Sequence, residues 1–201
     1  MYRAVGRKIA IDFQQIQTPQ SAEQITGKLK NLGFIEIPFD PVGLAQSLIG
    51  KPYKLGALLA EAPQKFDCSG FVKYIYGQFG IWIHRYTIYQ KEHGQDLPLK
   101  YVRAGDLVFK AGYRNFNPDK AGREVGHVGM MTSPDTIIHC VHGRGVVEES
   151  LQAFLAQNHF RGARRIISQN ADLHVFIIPD GIEVETSLCL EAILFRSLPK
   201  S

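Results

Sequence analysis

The chain has 201 residues, a formal net charge of +4 and a 45% hydrophobic share, which suits one domain with appendages or two small domains around a real core. No run of five or six like charges is present to grip nucleic acid, and no stretch of 18 apolar residues could span a bilayer. Three cysteines, an odd number, argue against a disulfide framework and fit free thiols.

The first residues, MYRAVGRKIAIDFQQIQ, lack the apolar core and the small-residue cleavage site of a secretory signal. A cytoplasmic location is therefore expected, with export by a non-Sec route as the alternative; oligomeric state is not legible. Residues 4–13 partly alternate and predict a strand. Ser21 and Gln24 form a capping-box signature for an amphipathic helix on Ala22, Ile25, Leu29 and Leu32. FIEIPF at 34–39 alternates with period two, and Pro38 assigns it to a sheet edge. Asp40-Pro41 caps a second helix that Gly50 ends.

Phe66 to Phe79, FDCSGFVKYIYGQF, is the stretch around which the chain is organised. Cys68, Phe71, Val72, Ile75, Tyr76 and Phe79 share one helix face, with Asp67 as cap and Gly80 as terminator. A thiol at the first turn meets unpaired N–H groups and the positive end of the helix dipole, which both favour a thiolate. Cys68 is thus a candidate nucleophile that needs a base downstream.

Gly94 to Pro98 reads as loop and Asp106 to Phe109 as a short strand. Residues 111–126, polar and rich in glycine and asparagine, read as a long surface loop and a candidate lid. Val128–Met131 and Thr136–Val141 form strands around Ser133-Pro134-Asp135, and Val146-Val147 continues the sheet. Residues 150–160 read as helical, and 173–196 as two more strand-like pieces. Helices followed by an antiparallel sheet make an α+β fold.

The base comes from this sheet. A three-residue turn at 133–135 makes Thr132 face Thr136 and Gly129 face His139. His127 is then the diagonal neighbour of His139, roughly 7–8 Å away at Cβ; a two-residue turn would put the two histidines on opposite faces. Cys68 then attacks a carbonyl, His127 shuttles the proton, and His139 orients His127. Glycines on both sides of His127 are expected to leave room for a helix terminus and a substrate.

DCSGFV (67–72), GDLVF (105–109), GHVGM (126–130), IIHC (137–140) and GARR (162–165) together resemble the NlpC family of papain-like cysteine peptidases. The resemblance runs from about Asp40 to about Arg165. It implies a papain-like arrangement, with helices carrying the nucleophile packed on a central antiparallel sheet carrying the histidines. It also implies a Cys68-His127-His139 triad acting on peptidoglycan stem peptides, at the γ-D-glutamyl–diamino acid bond of fragments with a free N-terminal L-Ala. Asp67 and Ser69 match the residues that hold the amino end, Tyr53 matches the tyrosine of a Pro-Tyr-x-Trp-Gly-Gly pattern, and Arg85 and Thr87 match an Arg-x-Ser/Thr-x-x-Gln pattern. Leu55 stands in place of the usual Trp and Ala57 in place of the second Gly.

The organisation expected is an N-terminal extension at 1–39, the peptidase domain at 40–168 and a C-terminal extension at 169–201 packed on that domain. No cofactor is expected, and no metal: His139 and Cys140 are neighbours on a strand and point to opposite faces, so they cannot readily share an ion with Cys68 or His142. Cys140 and Cys189 read as packing residues, and Arg161, Arg164 and Arg165 as a solvated face. Two other functions stay open: an amidase or acyltransferase using the same site, and a non-catalytic binding module with an occluded groove.

Overall fold

The computed structural model describes residues 3–16, 20–112, 125–156 and 159–196. Most of the candidate lid, 113–124, lies outside them. In chain order come β1 (Lys8–Asp12), α1 (Ala22–Asn31), β2 (Ile35–Ile37), α2 (Pro41–Gln46), α3 (Cys68–Gly77) and α4 (Thr87–Gln90). Then follow β3 (Gln95–Leu97), β4 (Leu107–Lys110), β5 (His127–Met131), β6 (Thr136–Val141), β7 (Gly145–Ser150), α5 (Leu151–Ala156), β8 (Phe160–Arg165), β9 (Leu173–Ile177) and α6 (Ser187–Arg196).

The chain divides into two compact units. One comprises Met1–Phe39, Tyr76–Trp82 and Gln169–Ser201. Its three-stranded antiparallel sheet has the order β1-β9-β2. Ile9, Ile11 and Phe176 pack there with Ile25 and Leu29 of α1 and Leu190 and Leu194 of α6. The capping box of Ser21 and Gln24 starts α1, and β2 is an edge strand, as its pattern requires.

The other unit comprises Asp40–Ile75 and Ile83–Ser168 and holds every candidate site residue. Its six-stranded antiparallel sheet has the order β3-β8-β4-β5-β6-β7. Val108, Met131, Ile137, Phe154 and Ala163 form the centre of its core. Helices precede the sheet and pack with it, an α+β papain-like arrangement.

Four local expectations fail, one of them the solvated arginine face, because the Arg165 side chain is only 10% exposed and donates to the buried Asp106 carboxylate. Residues 95–97 are not loop but the strand β3, held by pairing to β8 rather than by any apolar pattern of their own. The second strand-like piece near the C-terminus is helix α6, where the apolar run SLCLEAILF has no strict alternation to keep it extended. Helix α3 stops at Gly77, and Gly80, with φ +67°, completes the turn that follows.

Candidate active site

Asp67 caps α3: the Gly70 N–H donates to its Oδ1 at 2.7 Å and the Phe71 N–H to its carbonyl. Cys68 is therefore the first helical residue, and only 9% of it is exposed. Its sulfur lies 3.9 Å from the Thr87 hydroxyl and accepts from the backbone at Ser69 and at Val128, the residue after His127. Burial and the adjacent Asp67 charge push the thiol up, and those hydrogen bonds only partly oppose them. The helix terminus alone predicts the reverse. Its dipole is outweighed chiefly because the sulfur is buried, and also because the cap that aligns the helix brings a carboxylate beside it.

The β5–β6 turn uses three residues. Met131 faces Ile137, Met130 faces Ile138, and the Thr132 N–H donates to the Thr136 carbonyl. Continuing this register puts Gly129 opposite His139. A Cβ at Gly129 would lie 2.7 Å from Ile137 Cδ1 and 3.2 Å from His139 Cβ, so a side chain there would have to displace Ile137 and crowd His139. At Gly126 a Cβ would strike the backbone of Gly112. Both glycines thus serve sheet packing, not the substrate space expected for them.

His127 Nε2 and His139 Nδ1 are 2.7 Å apart and both rings are buried. His127 Nδ1 is the ring nitrogen not engaged in this contact. Phe154 of α5 covers both imidazoles, with ring centroids 5.7 Å from His127 and 5.0 Å from His139. Burial pushes His127 well below its usual range, reinforced by the charges of His139 and Lys110. Burial also lowers His139, to about 4, against the raising effect of Glu149. Burial thus disfavours the charged form of the thiol and of both imidazoles.

Two charged groups on this sheet face escape the sequence reading. Glu149 of β7 has Oε1 3.1 Å from His139 Nε2, an ion-pair distance that is not aligned as a full hydrogen bond, and Oε2 3.0 Å from Arg144 Nη1. Lys110 of β4 faces His127 across the ladder. It is almost fully buried, donates to the Phe154 carbonyl at 2.7 Å and lies 4.1 Å above that ring.

Around the cap, Arg85 donates to Asp67 Oδ1 at 2.9 Å, Asp67 Oδ2 at 2.5 Å, Ser69 Oγ at 2.9 Å and the Ala57 carbonyl at 2.6 Å. Gln90 Nε2 ties the Ser69 and His84 carbonyls together. Asp67, Ser69, Arg85 and Thr87 thus meet beside Cys68. Tyr53 joins through a backbone bridge to Phe66, while its ring packs edge-on against His142 at 5.5 Å. Leu55 projects into solvent, 61% exposed. Cys140 points away from His139, with its sulfur 3.4 Å from the Phe66 carbonyl and burial pushing its thiol to about 12. Among the described residues no group of three or more His, Cys, Asp or Glu could hold a metal ion.

The NlpC/P60 family model matches residues 50–165, more than half of the chain. The chain belongs to the NlpC/P60 family. It is 32% identical over 123 residues to the Escherichia coli K12 protein named murein DD-endopeptidase MepS/murein LD-carboxypeptidase, a match covering 60% of this chain and 58% of that one. The chain thus spans under two thirds of that relative's length. Among solved structures, an NlpC/P60 family protein from Bacillus cereus superposes with a TM-score of 0.54 at 29% identity, over 63% of this chain and 39% of that one. The NlpC/p60 domain of the peptidoglycan hydrolase SagA gives 0.50 at 30% identity, over 62% and 95%. The family match includes Cys68, His127, His139 and Glu149, and apart from Tyr76–Trp82 its span lies in the unit that carries the six-stranded sheet.

Proposed function

We propose that the chain is a cysteine peptidase that hydrolyses amide bonds of peptidoglycan stem peptides, with Cys68 as nucleophile, His127 as general base and acid, and His139 as orienter. The observation that carries this reading is the 2.7 Å contact of His127 Nε2 with His139 Nδ1, with the Cys68 sulfur at the backbone of Val128. Cys68 passes its proton to His127 Nδ1 as the sulfur bonds to the carbonyl carbon. The C–N bond then breaks as His127 returns that proton to the leaving amine, and water releases the acyl group from the thioester with His127 again as base. The first N–H of α3 has no acceptor within the helix and is suited to the oxyanion, where one donor is worth about 3 kcal/mol of barrier. Burial disfavours both a free thiolate and an imidazolium, which favours passing the proton as the sulfur attacks.

The bond proposed is γ-D-glutamyl–diamino acid, in fragments with a free N-terminal L-Ala held by Asp67, Ser69 and Tyr53. Arg85 already offsets the Asp67 charge, so the amine would share that carboxylate with a guanidinium. The name of the Escherichia coli relative favours adding D,D cross-links and L,D bonds to the panel. The test is mass spectrometry of defined tri-, tetra- and cross-linked peptides after incubation with the protein. Cleavage after γ-D-Glu that requires a free L-Ala amine is expected; cleavage only at D,D or L,D bonds would refute the bond assignment. The near-complete burial of Cys68 favours one other reading, a binding module with an occluded groove, which predicts no cleavage of any peptide.

A further inference from the structure

Lys110, His127, His139 and Glu149 form a diagonal line across four adjacent strands, on the sheet face that Phe154 covers. A 2.7 Å contact between two imidazole nitrogens holds a single proton, and there are two ways to place it. If His139 Nδ1 carries it, His127 Nε2 accepts, His127 Nδ1 must be protonated, and the His127 ring has no lone pair left to take the Cys68 proton. The bare Nε2 of His139 would then lie 3.1 Å from the Glu149 carboxylate, two electron-rich groups in contact without a proton between them. If His127 Nε2 carries the proton, His139 accepts at Nδ1 and is protonated at Nε2, pointing an N–H toward Glu149. His127 Nδ1 is then a base.

We propose that Glu149 is a positioning residue that selects this second arrangement, and so sets His127 as the acceptor for the Cys68 proton. It rests on the reading of Cys68 and His127 as nucleophile and base. Arg144 fixes the far carboxylate oxygen, and the side chain of Glu149 is only 13% exposed, so its charge faces His139 with little water between them. Lys110, the other charge on this face, is turned to the Phe154 carbonyl. That leaves Glu149 to decide the proton placement.

The test is long-range proton–nitrogen NMR of histidine-labelled protein, joined to steady-state kinetics. Wild type should carry its proton on Nε2 in both His127 and His139. Glu149→Gln keeps the shape but can either donate or accept, so both rings should move in step toward the Nδ1 form, with kcat down about ten- to a hundredfold, KM unchanged and an unchanged melting curve. Glu149→Asp should recover part of the loss. Arg144→Gln, which leaves the buried face intact, should give a smaller shift of the same sign. Nδ1 protonation of His139 in wild type, or tautomers unmoved by Glu149→Gln, would overturn the proposal. Tautomers are read without substrate, so a protein that cleaves none of the peptides would count against the proposed function alone.

Discussion

Arg85 clamps Asp67 through both terminal nitrogens, at 2.9 and 2.5 Å, immediately beside the Cys68 thiol. The pair is largely buried, with side chains 21% and 10% exposed. Removing the cation leaves a carboxylate with little water to replace it. Arg85→Gln should therefore cost about 3 kcal/mol in urea denaturation, the lower end for a broken buried pair because some water still reaches it. In the protein that remains folded, the unbalanced Asp67 charge should slow alkylation of Cys68. Unchanged stability and alkylation would mean that the clamp is incidental.

The resting ionisation of Cys68 has its own signature. Burial and Asp67 raise the thiol, and burial lowers His127, so both shifts disfavour a thiolate–imidazolium pair. In a Cys189→Ser background, which removes a thiol lowered by its Thr186 hydrogen bonds, iodoacetamide should report mainly Cys68. Cys140, at about 12, stays silent. The rate should climb roughly tenfold per pH unit from pH 7 to 9 without levelling. A plateau between pH 5 and 8 would show a preformed thiolate–imidazolium pair instead.

Acid should destabilise the protein through its histidines. Both His127 and His139 are depressed by burial, so below about pH 6.5 the unfolded chain binds protons that the folded one refuses. Stability from these groups is complete above that pH and falls as pH falls toward their folded values, by up to about 1.4 kcal/mol per pH unit for each. His93, also lowered by burial, adds to the same slope. Denaturant midpoints at pH 7.5 and 5.5 measure the effect, and His139→Asn should flatten it. Equal slopes in wild type and variant would contradict the assignment.

Gly129 is a steric gauge of the histidine pair. A methyl there meets Ile137 and His139 on the facing strand. Gly129→Ala should displace the His139 ring and lower kcat by about tenfold or more, consistent with the steep cost of misplacing a catalytic group, while Gly27→Ala, on the exposed face of α1 with open space around it, leaves kcat unchanged. Equal activity in both variants would show that the pair tolerates movement.

How much of this was legible in the sequence depends on whether the signal is local. Periodicity and the Asp67 cap locate Cys68 at the head of α3, and the odd-length turn puts His127 and His139 on one face. Glu149 was within reach of the same reasoning. His139 faces Val147, and the next residue on that face is Glu149, but VVEES looks like an ordinary strand leaving the core. Lys110 was hidden because a lysine at a strand end is normally solvated, and only the Phe154 carbonyl in α5 makes its burial tolerable. The ionisation of Cys68 was misjudged for the same reason: the helix dipole can be read locally, whereas burial is a property of the assembled sheet and helices.

In the proposed reaction the Cys68 sulfur carries the chemistry. The most direct measurement compares wild type with Cys68→Ala on peptidoglycan digests, following peptide products by mass spectrometry under identical conditions. The account predicts cleavage by wild type and background levels with Cys68→Ala, although both proteins melt alike. Products formed by Cys68→Ala at the wild-type rate would contradict it.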